Sequence, residues 1–217
     1  MDRRPVAVRR VLGGAIALVG AFALALQCLL LLEATRGEIS AGMALLRFFS
    51  YFTILSNCLV VLATAAAAIE DGSGAGFFTR ATVRAGIAIY IATTALVYAV
   101  VLHSLWQPTG AQWWADILLH YVVPVAYLAW WAGATPHGAL RWGNLHGWLA
   151  FPLAFVAWIV FRQRAIEAWS PYPFLDLARN STPSVLASVG MILVVILSIA
   201  SVLLAMDRWL ARGSGAG

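Results

Sequence analysis

The chain has 217 residues, of which 62% are hydrophobic and only 11% are charged, and its mean hydropathy is +0.86. A soluble domain of this length cannot bury that much apolar surface, so the composition excludes a soluble protein and predicts an integral membrane protein. The formal net charge of +5 does not indicate nucleic-acid binding, because the basic residues are scattered over the predicted loops and form no patch interleaved with exposed aromatic residues.

Six apolar runs along the chain predict an all-α, polytopic membrane protein built as a six-transmembrane-helix bundle. Residues 1–10 are expected to form a basic cytoplasmic tail, residues 11–206 the membrane domain, and residues 207–217 a flexible cytoplasmic tail. Each run is close to the ~20 residues that the hydrocarbon core of a bilayer requires. The predicted helices cover about 11–32, 48–69, 85–104, 113–134, 145–161 and 184–206.

The distribution of arginine predicts the orientation of the bundle. All fourteen basic residues are Arg, and with the N-terminus inside, nine of them fall on the cytoplasmic side and five on the opposite side. This bias favours both termini in the cytoplasm. The exclusive use of Arg, together with the abundance of Ala, is typical of a genome rich in G and C, so we expect a bacterial plasma (inner) membrane.

The two cysteines, Cys28 and Cys58, both fall inside apolar runs and give neither a disulfide framework nor a metal-ligand spacing. We therefore expect no metal and no organic cofactor. The expected partners are membrane lipids and no nucleic acid, and the sequence gives no indication of an oligomeric state.

Polar residues enter the second predicted span in the segment FFSYFTILSN. On a continuous helix, residues three and four apart share a face, so Ser50, Thr53 and Asn57 are predicted to form one polar stripe. In lipid such a stripe has to face protein or a water-filled cavity.

The fourth predicted span carries Asp116 and His120, four residues apart and therefore on one face, followed by Pro124. With helices 2 and 4 both starting at the outer face, Thr53 lies about 8 Å and His120 about 10 Å into the membrane at the usual helical rise. The two polar stripes are thus predicted to lie at similar depth on the same side.

This set of residue types can support nucleophilic catalysis. A Thr hydroxyl needs an adjacent base, a neutral His is the usual one, and a carboxylate can fix the tautomer of that His. Thr53, His120 and Asp116 are the candidates for these roles. Because backbone N–H groups inside a helix are already bonded, the oxyanion donors are expected to be side chains or loop backbone, with Asn57 and Tyr172 as candidates.

Other interpretations of the same residues remain open. Thr53 can bond back to a carbonyl one turn earlier, His120 can be a polar contact between helices, and Asp116 can mark the headgroup boundary. The series Tyr90, Thr94 and Tyr98 is interpreted as packing, and His137 and His146 as solvated or headgroup-facing. The alternative functions are a small transporter or membrane scaffold, and a haem protein that uses His103 and His120 as axial ligands.

Three segments of the chain resemble the androgen-induced-gene family of multipass membrane proteins, which includes the androgen-dependent regulator of tissue factor pathway inhibitor. They are FFSYFTILSN, LLHYVVP and WSPYPFLD, in that order. The resemblance covers about 11–206 and implies a bacterial relative of threonine hydrolases that cleave fatty acid esters of hydroxy fatty acids. It implies Thr53 as the nucleophile, His120 as its partner, and an acyl chain as part of the substrate.

The last of these segments, within residues 169–176, is rich in proline and aromatic residues. Pro171 and Pro173 stiffen the backbone, while Trp169, Tyr172 and Phe174 place rings at the membrane interface. The segment is expected to serve either as a lid over an acyl pocket or as a rigid interfacial anchor.

Overall fold

The chain folds into a bundle of helices in a computed structural model that describes residues 4–69, 76–105 and 107–214. All regular structure in these ranges is helical, and six helical segments in them are long and apolar enough to cross a bilayer. The predicted all-α multipass membrane fold is thereby confirmed. The α-helices are α1 (Arg4–Ala34), α2 (Ala41–Phe48), α3 (Phe52–Ile69), α4 (Ala81–Val97), α5 (Gly110–Ile117), α6 (Val123–Ala134), α7 (Leu145–Ala165) and α8 (Thr182–Ser214).

The spanning segments are Ala7–Ala34, Phe52–Ile69, Ala81–Leu105, Gly110–Ala134, Trp142–Ala165 and Thr182–Gly213. They begin and end within four residues of the predicted bounds, except at the C-terminal end of the sixth. Helix α4 lies at the centre of the bundle, where it packs against α3, α6, α7 and α8, and α1 packs along α3. Large apolar side chains such as Leu18, Leu186 and Val194 remain exposed on the outer faces of α1 and α8, as expected for surfaces that contact lipid.

The second predicted helix, 48–69, is interrupted near its start. Residues 41–48 form the separate helix α2, whose first turn is capped by the side chain of Ser40 accepting the N–H of Met43 at 3.2 Å. The chain then turns through Phe49–Tyr51, where the N–H groups of Ser50 and Tyr51 bond to carbonyls three residues earlier. Helix α3 therefore begins at Phe52, one residue before Thr53.

The described parts of both predicted tails are helical and continuous with the neighbouring spans. Residues 4–10 continue α1 toward the N-terminus, and residues 207–214 continue α8, while residues 1–3 and 215–217 lie outside the described ranges. Asp207 is almost fully buried and accepts the N–H groups of Gly138 and Leu140, because a carboxylate removed from solvent needs donors. Its Oδ1 also lies 3.2 Å from Nδ1 of His137, so His137 is buried in this contact and is not solvated as predicted.

Two π-helical turns interrupt the third and fourth spans. In Tyr98–Leu102 the N–H of His103 bonds to the carbonyl of Tyr98, and in Leu118–Val122 the N–H of Val123 bonds to the carbonyl of Leu118. Such turns are rare, occur often at functional sites, and redirect the side chains they contain. The two turns here contain Tyr98 and His120.

Candidate active site

The hydroxyl of Thr53 and the imidazole of His120 face each other across the interface between α3 and the second π-helical turn. Their Oγ1 and Nε2 atoms are 3.3 Å apart, and both side chains are largely buried. The other ring nitrogen of His120, Nδ1, lies 3.0 Å from the backbone carbonyl oxygen of Asp116. Since a carbonyl oxygen only accepts, Nδ1 carries the proton, and Nε2 presents its lone pair to the Thr53 hydroxyl.

Asp116 and Tyr98 hold His120 from its other sides. Oδ1 of Asp116 lies 3.3 Å from Nδ1 of His120, and Oδ2 accepts the hydroxyl of Tyr98 at 2.5 Å. The ring of Tyr98 stacks on the imidazole with a centroid distance of 3.8 Å and an interplanar angle of 16°. Asp116 thus reaches His120 through both its carbonyl and its carboxylate.

Tyr98 is a site residue that the sequence analysis missed, because it was interpreted as part of a packing series. The available signal was its depth: it lies within an apolar span, close to the same membrane level as His120. Of that series, Tyr90 donates to the carbonyl of Trp148, and Thr94 pairs with Ser56 at 2.9 Å, so these two do pack between helices.

The hydroxyl of Tyr172 lies beside Thr53 at the N-terminus of α3. It accepts the N–H of Phe52 at 3.0 Å and interacts with both the side chain and the backbone of Thr53. Burial raises the pKa of Tyr172 to about 12, so the phenol is neutral at pH 7 and has a proton to donate.

Because α3 begins at Phe52, its first N–H groups have no partner inside the helix, contrary to the expectation that helical N–H groups are already used. These groups and the helix dipole give the N-terminus of α3 partial positive charge next to the Thr53 hydroxyl. The N–H of Phe52 and the backbone of Thr53 are engaged with the Tyr172 oxygen, so the site offers the Tyr172 hydroxyl and the positive end of the helix dipole beside the Thr53 hydroxyl.

Asn57 does not provide an oxyanion donor. Its Nδ2 atom donates to the carbonyl oxygens of Thr53 at 2.8 Å and of Leu119 at 3.1 Å, which uses both of its N–H bonds. In the π-helical turn each carbonyl bonds to the N–H of the residue five positions later. For the carbonyl of Leu119 that residue is Pro124, which has no N–H. The amide of Asn57 replaces that donor and ties α3 to the turn that carries His120.

Ser50 also lies away from the Thr53 hydroxyl. The interruption before α3 breaks the predicted stripe, so Ser50 belongs to the turn between α2 and α3. Its hydroxyl donates to the carbonyl of Leu46 at 2.7 Å and accepts the indole N–H of Trp158 at 3.3 Å. Ser50 therefore has a structural role in this turn.

A cleft with about 670 Å³ of empty space, part of it open to the outside, borders Thr53. Its two long walls come from α7 and α8, and Tyr172 and Phe174 cover it from the loop between these helices. Leu153, on the α7 wall, is 49% exposed, so this wall reaches the apolar outer surface of the bundle. The lining is largely apolar with a few polar side chains, as in small-molecule sites.

The loop that carries Tyr172 is fixed by a charged cluster. Glu167 accepts hydrogen bonds from Arg47, through both Nε and Nη2 of that residue, and from Arg162. The guanidinium groups of Arg47 and Arg162 lie 5.0 and 4.5 Å from the ring centroid of Trp169. The hydrogen bond from Arg47 lowers the pKa of Glu167 below its usual value. This cluster fixes the position of the loop over the cleft.

His103 and His120 are not arranged as axial ligands of a haem. The Tyr98 ring stacks on His120 and also contacts the ring of His103, with a centroid distance of 5.9 Å. A porphyrin ring would need the space that Tyr98 occupies. Within the described residues, no three His, Cys, Asp or Glu side chains are grouped so as to hold a metal ion.

No known family model matches the chain, and no match was found among curated proteins or solved structures.

Proposed function

We propose that this protein is an intramembrane hydrolase of lipid esters that uses Thr53 as its nucleophile and His120 as its general base. The observation that carries the proposal is the 3.3 Å contact between Thr53 Oγ1 and Nε2 of His120, beside an open cleft with an apolar lining. A Thr hydroxyl that merely bonded back to its own helix would not need this partner. We also propose membership of the androgen-induced-gene family, on the three segments that resemble it, and a bacterial plasma membrane as the location.

In the proposed reaction, Thr53 Oγ1 attacks the ester carbonyl while His120 Nε2 takes the hydroxyl proton. Collapse of the tetrahedral intermediate breaks the bond to the alcohol oxygen, and His120 returns the proton to that oxygen. The acyl group is then bound to Thr53. Water, deprotonated by His120, attacks this second ester, which releases the fatty acid and restores the Thr53 hydroxyl.

The negative oxygen of each tetrahedral intermediate would be stabilised by the Tyr172 hydroxyl and by the partial positive charge at the N-terminus of α3. Donors held in place before the reaction, in a site with little water, stabilise developing charge at low reorganisation cost. Asp116 and Tyr98 would stabilise the imidazolium that forms on His120, since the Asp116 carboxylate lies 3.3 Å from Nδ1.

The substrate would enter from the membrane through the opening between α7 and α8. Thr93 and Thr94 line the cleft, but their hydroxyls are engaged with the carbonyl of Ile89 and with Ser56. Polar groups available to a ligand are therefore concentrated at the end with Thr53 and Tyr172. An ester group at that end with an acyl chain along the rest of the cleft fits this arrangement.

The proposal is tested by labelling the purified protein with a fluorophosphonate, which forms a covalent bond to an activated hydroxyl and expels fluoride. The wild type is expected to be labelled and to hydrolyse p-nitrophenyl esters. Thr53→Ala is expected to abolish labelling, and His120→Ala to reduce it by about 10²–10⁴-fold. Thr64→Ala is the matched control, because Thr64 is buried on the same helix but donates only to carbonyls one turn earlier.

Labelling that survives Thr53→Ala would refute the nucleophile assignment. If the folded wild type is neither labelled nor active on any ester, the Thr53–His120 pair has another role. A small transporter or a membrane scaffold then becomes the leading interpretation.

A further inference from the structure

Two cavities lie within the described part of the bundle, separated by aromatic rings. The cleft beside Thr53 includes Phe52 in its wall. The second cavity, with about 1040 Å³ of empty space including its open part, lies between the N-terminal halves of α4 and α7. Its wall includes Tyr90 and Phe151, and none of the described residues borders both cavities.

Phe52, Tyr90 and Phe151 form the partition between the cavities. The ring centroids of Phe52 and Phe151 are 5.4 Å apart, those of Tyr90 and Phe151 are 4.8 Å apart, and those of Phe52 and Tyr90 are 6.3 Å apart. The three rings are thus in mutual contact, with Phe52 facing the cleft and Phe151 facing the second cavity.

The three rings are held in different ways. Tyr90 donates its hydroxyl to the carbonyl of Trp148 at 2.8 Å. In an α-helix the carbonyl of Trp148 would accept the N–H of residue 152, but that residue is Pro152 and has no N–H. The Tyr90 hydroxyl supplies the missing donor, and this hydrogen bond fixes the Tyr90 ring. Phe52 is adjacent to Thr53 and donates its backbone N–H to Tyr172. Removal of the Phe151 ring leaves no polar group unpaired, and Phe151, unlike Phe52, is not adjacent to Thr53.

We propose that the partition of Phe52, Tyr90 and Phe151 closes the inner end of the acyl cleft, with Phe151 as its support on the side of the second cavity, and thereby limits the length of the acyl chain that is hydrolysed. The second cavity is the blocked continuation of the cleft. This inference rests on the proposed lipid-ester hydrolase, and it assigns the selectivity of that enzyme for acyl-chain length to the partition. The wild type accordingly prefers acyl chains that end at the partition.

The experiment measures kcat/KM for p-nitrophenyl butyrate, decanoate and palmitate. Phe151→Ala is expected to raise the ratio of palmitate to butyrate hydrolysis by about tenfold or more, because each additional methylene that finds an apolar pocket favours the longer ester. Phe151→Leu is expected to change the ratio in the same direction by a smaller factor. This variant replaces Phe151→Ala in the experiment if Phe151→Ala does not fold.

Gly147→Leu provides the matched test of where the longer chain lies. Gly147 borders the second cavity, and a Cβ atom at this position would meet nothing within 4 Å. In the Phe151→Ala background, Gly147→Leu is expected to return the ratio toward that of the wild type by filling the second cavity. Phe155→Ala is the control: its ring also contacts Phe52, at 5.2 Å, but it borders the cleft itself, so Gly147→Leu should not reverse its effect.

The outcomes separate this inference from the proposed function. If the wild type hydrolyses esters but Phe151→Ala leaves the ratio unchanged, or Gly147→Leu does not reverse the change, the partition does not limit chain length and the inference is overturned. If the wild type hydrolyses no ester, the proposed function fails, and the inference is judged by thermal stabilisation with decanoate and palmitate. Phe151→Ala must then gain a stabilisation by palmitate that Gly147→Leu removes, and otherwise the inference fails too.

Discussion

The phenol ring of Tyr98 lies against the imidazole ring of His120, with centroids 3.8 Å apart, while its hydroxyl donates to Oδ2 of Asp116. Both aromatic residues belong to π-helical turns, in which the hydrogen bonds span five residues instead of four. The turns orient these rings face to face across two neighbouring spans. Tyr98 therefore fixes the plane of His120 and the position of the carboxylate next to it.

Tyr98→Phe separates these two effects, since it keeps the stacked ring and removes the hydroxyl. Asp116 then lacks the donor to its Oδ2, and hydrogen bonds to charged groups contribute about 1.5–3 kcal/mol. We expect kcat for ester hydrolysis to fall about tenfold or more with KM nearly unchanged, because Tyr98 does not border the cleft. Steady-state kinetics on p-nitrophenyl butyrate measure both constants, and a rise in KM alone would argue against this role.

The sequence was sufficient to predict the spans because hydrophobic length decides them. Arg162 illustrates the limit of this approach. It was assigned to the outer connection, yet α7 continues to Ala165 and buries Arg162, whose charge is balanced by Glu167 and whose Nη2 donates to the carbonyl of Trp169. An ion pair with a residue of the following loop can bury an arginine at the end of a span, and a hydropathy pattern does not contain that information.

The candidate site, too, was predicted only in part. The estimated depths of Thr53 and His120 predicted that the two residues lie at one level, and the structure brings them into contact. The roles of Ser50 and Asn57 were inferred from a continuous helix of 3.6 residues per turn, but the chain turns at Phe49–Tyr51 and the Asn57 amide is used by two carbonyls. Such departures arise from tertiary contacts, which local periodicity does not report.

Asn57→Leu is expected to destabilise the protein and displace His120. The substitution keeps the number and branching of the side-chain heavy atoms but leaves the carbonyl of Leu119 without the donor that replaces the missing N–H of Pro124. An unpaired buried polar group costs about 1–3 kcal/mol, which should lower the midpoint of thermal unfolding in detergent and reduce fluorophosphonate labelling.

Thr64→Val is the control for Asn57→Leu, because Thr64 is equally buried on α3 but bonds only within its own helix. A smaller change in the midpoint and unchanged labelling are expected for it. Equal effects of the two substitutions would show that Asn57 has no special part in positioning His120.

Tyr172→Phe tests the proposed oxyanion donor. The variant keeps the stacked arrangement with Phe174, whose ring centroid lies 5.3 Å away, and removes only the hydroxyl beside Thr53. Loss of one such donor typically reduces kcat by about 10²–10³-fold, and a value in this range is expected with little change in KM.

Tyr51→Phe serves as its control, since the Tyr51 ring packs edge-on against Tyr172 at 6.1 Å and also loses a phenol hydroxyl. It should retain most of the activity. An unchanged kcat in Tyr172→Phe would show that the loop covers the cleft but supplies no oxyanion donor.

Glu167 is expected to make the stability of the loop depend on pH in the acidic range. Its pKa is lowered in the folded protein, chiefly by the hydrogen bond from Arg47, relative to about 4.3 for an unperturbed Glu. A group with a lowered pKa stabilises the folded state fully above its unfolded pKa, and this contribution is lost as the pH falls through the folded pKa. The thermal midpoints of the wild type and Glu167→Gln should therefore differ by a constant amount between about pH 5 and pH 8 and converge below about pH 4.

Glu33→Gln distinguishes this cluster from an ordinary surface ion pair. Glu33 pairs with Arg36, but their side chains are 65% and 77% exposed, and exposed pairs of this kind contribute little to stability. Its thermal midpoint should follow that of the wild type at every pH.

Since Glu167 fixes the loop that carries Tyr172, Glu167→Gln should in addition lower kcat at neutral pH, whereas Glu33→Gln should not. A variant of Glu167 with the stability and kcat of the wild type at neutral pH would show that the loop is held by its aromatic contacts alone.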